Sequence, residues 1–335
     1  MSRETVSPYR ARGLLADPHV QSVLSSSPWR KRAGLARLRA LGASGERRIL
    51  DLPGGVRLAG VYYAAAPARA RGALALLLHG WEGSVESSYI NHSAAALLEA
   101  GVDVFALNFR DHGGTHHLNE GLFHSCRLEE VLDAARAVRA LYAPRRFVVA
   151  GYSLGGNFAL RLALAAGRGE LGLDGAFAVC PPVDPSAVLR ELETGPAFYH
   201  WYFMRKWRGS LKRKRALFPQ AHAFEEDILR YDMRGLTRWL VARHGDWGDE
   251  ERYFEGYAVS GDRLAGLAVP VRILAAADDP VIPVASLRAL ALPDSATLEI
   301  SAHGGHCGFI LDRRLHGYAE RWLENGVTAL LDRLQ

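Results

Sequence analysis

Phe147-Val148-Val149-Ala150-Gly151-Tyr152-Ser153-Leu154-Gly155-Gly156 is a short apolar run that leads directly into a glycine-flanked serine. The run has the composition of a strand. The eight residues after it, Asn157 to Leu164, have the composition and length of a helix. A sharp strand-to-helix turn lifts a side chain above a sheet, and glycine two residues to either side lets the backbone close. The turn would hold the Ser153 hydroxyl, a weak nucleophile on its own, where a base can reach it. The stretch reads as a nucleophile elbow.

Working outward, the flanks supply the sheet that an elbow needs. Before it lie an apolar strand at 74–78, a helix ending at Gly101, a strand at 102–108 and a helix at 128–141. After it come a strand at 175–180, then strands at 271–276 and 296–300 separated by a helix at 284–292, and a last helix within 311–334. Continuous apolar strands alternating with helices imply a mostly parallel sheet covered on both faces. Residues 47–63 hold two short strands about Pro53-Gly54-Gly55, a hairpin that adds an antiparallel edge. The expected organisation is an irregular, partly helical lead-in over 1–45, an α/β core over 46–181 and 268–335, and an inserted helical cap over 182–267.

Serine chemistry needs a base, a carboxylate to orient it and donors for the oxyanion. The order serine, acid, histidine suits this elbow type. Asp278-Asp279-Pro280-Val281-Ile282-Pro283 follows the 271–276 strand, where active-site groups of open α/β sheets gather. Asp279 is the better acid because the D-P-x-x-P pattern fixes the turn just after it; Asp278 is its neighbour and rival. His303-Gly304-Gly305-His306-Cys307-Gly308 forms a glycine-rich loop after the last strand. His306 is the expected base and His303 the competitor. Backbone N–H groups of Leu154 and of Trp81, in His79-Gly80-Trp81-Glu82-Gly83, are the expected oxyanion donors, with His79 supporting that loop. The insertion is rich in aromatics, and Phe198, Trp201, Tyr202 and Trp207 are candidates to line an acyl pocket.

Together these segments resemble the α/β-hydrolases, in particular the YheT-like esterase/lipase branch with its ABHD-type eukaryotic members. The matching stretches are H-G-W-E-G-S with Ser88-Tyr89, Asn108-Phe109-Arg110, Phe123-His124-Ser125, Gly151 to Asn157, Asp278-Asp279-Pro280 and Gly304 to Phe309. The resemblance implies triad roles for Ser153, Asp279 and His306 in acyl-ester hydrolysis. At Asp111 the branch commonly has glycine.

Bulk properties are those of an ordinary globular enzyme: 335 residues, 49% hydrophobic and 23% charged. No stretch has the length of a membrane span, and the first residues lack the apolar core of a secretory signal. The three cysteines are widely spaced, which suits the reducing cytoplasm. The net charge of +5 is concentrated in runs such as Arg30-Lys31-Arg32 and Lys212-Arg213-Lys214-Arg215. Such runs read as solvated faces, with weak attraction to phosphate-bearing surfaces as the sharper alternative. Asp111, His112, His116, His117 and His124 have the residue types of a metal site, but the glycines among them argue for a loop. The expected partner is a small acyl ester, with no cofactor, no metal and no nucleic acid, and at most peripheral contact with a lipid surface. Thioesterase or acyltransferase chemistry on the same triad is an alternative, as is a non-catalytic binding protein that keeps the fold.

Overall fold

The structure, a computed structural model, describes residues 4–334. Its elements run β1 (Glu4–Val6), α1 (Pro18–Ser25), α2 (Pro28–Ala40), β2 (Glu46–Asp51), β3 (Arg57–Tyr63), β4 (Ala73–Leu78), α3 (Ser88–Glu99), β5 (Asp103–Leu107), α4 (Leu128–Tyr142), β6 (Arg146–Tyr152) and α5 (Leu154–Gly167). They continue with β7 (Gly175–Val179), α6 (Pro185–Thr194), α7 (Ala197–Leu217), α8 (Met233–His244), α9 (Glu250–Glu255), β8 (Val271–Ala276), α10 (Val284–Arg288), β9 (Ala296–Ser301) and α11 (Tyr318–Arg333).

One nine-stranded sheet has the order β1-β9-β8-β7-β6-β4-β5-β3-β2. All pairings from β1 through to β5 are parallel, while β3 pairs antiparallel with both β5 and β2. The central strands β4, β6 and β7 are buried along almost their whole length, as a sheet covered on both faces requires. Helices α6 to α9 all lie between β7 and β8. Their chain leaves and returns at one place: Val259 N–H donates to Val183 O at 2.9 Å, and the Asn157 side-chain amide donates to Pro182 O and Tyr257 O.

The lead-in differs from expectation. β1 adds to the sheet edge beside β9, and α1 and α2 are regular helices, each with a proline in its first turn and a capping side chain, Asp17 or Ser27. The helix expected at 284–292 stops at Arg288, because the Ala291 N–H is drawn off to Gly261 O. Among the described residues no helix is long and apolar enough to cross a membrane.

Candidate active site

Ser153 sits between β6 and α5 with φ 51° and ψ −122°, a conformation non-glycine residues rarely adopt. The neighbouring glycines make it possible. A Cβ on Gly151 would strike the carbonyl of Gly155, and a Cβ on Gly155 would strike those of Leu78 and His79. Ser153 N–H donates to Val179 O at 2.8 Å, which ties the strained turn to β7.

The structure brings Ser153, His306 and Asp279 into one hydrogen-bonded chain. His306 Nε2 lies 3.0 Å from Ser153 Oγ, and Nδ1 lies 2.9 Å from Asp279 Oδ2. Asp279 is held by its own turn: Oδ1 accepts from Val281 N–H at 2.8 Å and Ile282 N–H at 3.0 Å. Burial pushes the His306 imidazole down, but the Asp279 carboxylate and the neighbouring Cys307 outweigh it and raise the pKa to about 9. The rival pair is close by and differently occupied. Asp278 Oδ1 accepts from Gly305 N–H at 2.9 Å, and His303 Nδ1 stands 3.4 Å from Asp278 Oδ2 with its side chain 42% exposed. Asp278 therefore shapes the histidine loop.

The loop after β4 packs against the serine; a Cβ on Gly80 would lie 3.1 Å from that of Ser153. Gly80 N–H donates to Tyr89 Oη at 3.0 Å and Glu82 N–H to His112 Nε2 at 3.0 Å, which leaves the Trp81 amide between two tethered neighbours. His79 pairs through Nδ1 with Gly80 O at 2.7 Å and through Nε2 with Phe109 N–H at 3.3 Å. Burial holds its pKa well below the usual imidazole value, so the neutral ring donates from Nδ1 and accepts at Nε2. Glu82, at φ 55°, receives a hydrogen bond on its carbonyl from Lys206 Nζ at 2.9 Å. The Leu154 amide lies at the first turn of α5, where helical N–H groups are unpaired.

The residues with metal-ligand chemistry after β5 are dispersed among other partners. Asp111 pairs with Lys214 Nζ at 2.6 Å, His112 Nδ1 lies 2.7 Å from Arg110 O, His116 Nε2 lies 2.8 Å from Ser210 Oγ, and His124 packs edge-on against Trp247. Asp111 has φ 62°, the left-handed conformation that glycine adopts freely. Here an aspartate takes it and is held there by Lys214.

Two cavities meet at Ser153. An open cleft of about 950 Å³ is walled by Glu82, Tyr202, Lys206, Arg213 and others, and a narrower apolar one of about 130 Å³ runs under the insertion past Leu189, Phe203, Trp207, Leu240 and Tyr253. Of the four aromatic candidates, Trp207 enters the apolar cavity, while Phe198 and Tyr202 line the open cleft. Trp201 lines neither, is 56% exposed and lies under Arg205; its assignment to an acyl pocket is corrected. The reason is helical phase. On α7 the inward stripe is Tyr199, Phe203, Trp207 and Leu211, at steps of four, and Trp201 falls on the opposite side. The basic run at 212–215 divides in the same way: Lys214 is fully buried, whereas Lys212 and Arg215 reach Glu226. Arg30 is likewise buried and paired with Glu320.

Residues that sequence reading passed over come from α1. Ser22 Oγ accepts from His306 N–H at 2.8 Å, and Gln21 Oε1 accepts from Ile310 N–H at 2.7 Å while its amide donates to Tyr9 Oη at 2.8 Å. No motif marks them; their partners are almost 300 residues away. Tyr89 and Asn157 did lie inside quoted motifs, but only their contacts show what they hold.

The sequence pattern of the α/β-hydrolase fold matches residues 76–313. The Escherichia coli protein named "Putative esterase YheT" is 28% identical over 260 residues, covering 75% of this chain and 74% of its own. Mouse "Phospholipase ABHD3" is 23% identical over 262 residues, covering 77% of this chain and 64% of its own. Among solved structures, the Pyrococcus furiosus esterase Pf2001 superposes with a TM-score of 0.55 at 15% identity, over 88% of this chain and 95% of that one. The 2,6-dihydroxy-pseudo-oxynicotine hydrolase reaches 0.58 at 17% identity, over 88% and 72%. At such identities the two structures speak for the fold alone. With the pattern spanning most of the chain and the sheet order and elbow already described, this protein belongs to the α/β-hydrolase fold family, with YheT and ABHD3 among its relatives.

Proposed function

We propose that this chain is a serine hydrolase that cleaves carboxylic esters through an acyl-enzyme. The observation that carries the reading is the unbroken chain Ser153 Oγ, His306, Asp279, with both links at hydrogen-bond length. The hydrolase fold and the esterase names of its relatives support the same class.

Neutral His306 takes the Ser153 proton at Nε2 as Oγ attacks the acyl carbonyl. Asp279 keeps the other ring proton on Nδ1 and stabilises the imidazolium that forms, without taking the proton itself. The developing oxyanion is met by the Trp81 and Leu154 N–H groups, pre-oriented by the tethered loop and the start of α5. His306 returns the proton to the leaving alcohol, then activates a water that releases the acid. The apolar cavity suits the acyl chain, and the wider polar cleft suits the alcohol side and entering water. None of these steps calls on a cofactor.

The test is covalent labelling with a fluorophosphonate probe, followed by turnover of p-nitrophenyl esters of increasing chain length. Labelling at Ser153 that Ser153→Ala abolishes, together with loss of turnover, is the expected result. Turnover persisting in Ser153→Ala would remove the reading.

A further inference from the structure

The two most basic helices among those described, α2 and α7, contain no acids. α2 carries five arginines and lysines and α7 carries seven, so with a net charge of +5 overall the rest of the chain is net negative by seven. Far apart in sequence, they form facing lips of the open cleft above Ser153. Trp29 and Lys31 of α2, and Phe198 and Arg205 of α7, all line it. His19 of α1 and Tyr199 of α7 join the lips at one end, with Nδ1 and Oη 2.9 Å apart.

Some of these bases serve the fold, as Arg30, Arg37 and Lys214 do through Glu320, Glu99 and Asp111. Others face outward: among the described residues, Arg205 and Arg213 have no carboxylate partner, and Arg205 is exposed. The apolar surface is gathered at the same place. Of the ten large hydrophobic residues exposed among those described, Val23, Trp29 and Phe198 line the cleft, and Trp201 packs beside Phe198 with Arg205 over its ring. Trp29 is 66% exposed and Trp201 56%, an unusual placement for indoles.

We propose that this rim docks on an anionic lipid bilayer, so that the cleft opens onto the membrane surface. Indole rings, an aliphatic side chain and bases in one rim match the interfacial layer of a bilayer, where apolar groups insert and cations meet headgroup phosphates. A nucleic acid would use the bases and the flat rings but gains nothing from Val23. The contact is peripheral, since no described helix is long and apolar enough to cross. Only the purpose of the docking, delivery of a lipid ester, rests on the hydrolase reading; the binding does not.

The experiment is co-sedimentation of the full chain with vesicles of phosphatidylcholine alone, or with a quarter phosphatidylglycerol, at low and physiological salt. A single-stranded RNA oligomer competes in a parallel series. Binding to the phosphatidylglycerol vesicles, weakened by salt, is expected. Arg205→Glu should weaken it about fivefold or more, since each base near an anionic surface contributes about that factor. Trp29→Ser with Trp201→Ser should weaken it about tenfold, from apolar area withdrawn from the interface. Both variants should keep the wild-type thermal melting midpoint, which separates lost docking from lost folding, and Ser153→Ala should bind vesicles fully. Absence of vesicle binding by an active protein would overturn the proposal, as would equal binding of the variants or displacement in which RNA alone is retained. Loss of esterase activity without loss of vesicle binding would count against the hydrolase reading only.

Discussion

The floor and the roof of the site are built by different physics. Beneath Ser153, β6 and α5 meet through close backbone approach: glycines at 151 and 155, a strained serine, and a serine amide already committed to β7. Above it, the histidine loop, the oxyanion loop and α7 are held by side chains from distant segments, Gln21 and Ser22 to the histidine loop, Lys206 to Glu82, Lys214 to Asp111. The floor is fixed by close backbone approach, where even a Cβ at Gly151 or Gly155 would collide. The roof is only as firm as its buried polar pairs, each of which must stay satisfied.

The contrast is sharpened most by comparing His306 with Gln21. His306→Ala should lower kcat by about 10⁶, because the triad acts as a unit. Gln21→Ala leaves every reacting atom in place but releases the Ile310 amide and the histidine loop, and should lower kcat by about 10² through misplacement alone. Equal effects of the two on kcat would mean that the roof is part of the chemistry itself.

Next comes the acid pair. Asp279→Asn should lower kcat by about 10⁴ through the wrong imidazole tautomer, whereas Asp278→Asn should stay within about tenfold of wild type, since it loosens one loop amide. Because His306 must be neutral to act, and its pKa is raised to about 9, kcat/KM should climb with pH through about 9. The stability contribution runs the other way. A folded pKa above the ordinary 6.5 means that the imidazolium–carboxylate pair stabilises the fold fully below pH 6.5 and ceases to do so as pH rises through about 9. In Asp279→Asn the rise in activity should move to lower pH. Paired pH profiles of activity and thermal melting measure both, and parallel profiles would contradict the assignment.

The roof's ion pair should break more gently. Lys214→Met strands the buried Asp111 carboxylate and should cost about 3–5 kcal/mol of stability, read as a lowered denaturation midpoint. Adding Asp111→Gly should recover most of that loss, because glycine accepts the positive φ without a partner. A double variant no more stable than Lys214→Met would show that the pair does more than compensate the aspartate.

The smallest effect expected is on selectivity. Trp207→Ala should shift the preferred ester toward a longer chain, with kcat/KM changing by about fourfold per methylene accommodated, while Trp201→Ala leaves the ranking of acetate to laurate esters unaltered. A shift caused by Trp201→Ala would reverse the correction made by the helical phase of α7.

By itself the sequence determined what depends on neighbouring residues. The strand, glycine, serine, glycine and helix of the elbow, the hairpin at the sheet edge, and the order of serine, acid and histidine all have local physical causes, and the observed strands follow them closely. Even the choice of Asp279 rested on the turn that follows it, and that turn supplies two of the amides holding its carboxylate. Tertiary structure decided what depends on segments meeting across the chain. Gln21, Ser22 and β1 look like nothing in particular until the histidine loop and β9 lie beside them. Lys214 sits in a run that reads as solvated, and Trp201 among aromatics that read as pocket; the direction each faces is set by how α7 packs. A helix's inner stripe is fixed by what it covers, and a buried charge by a partner that chain order does not reveal.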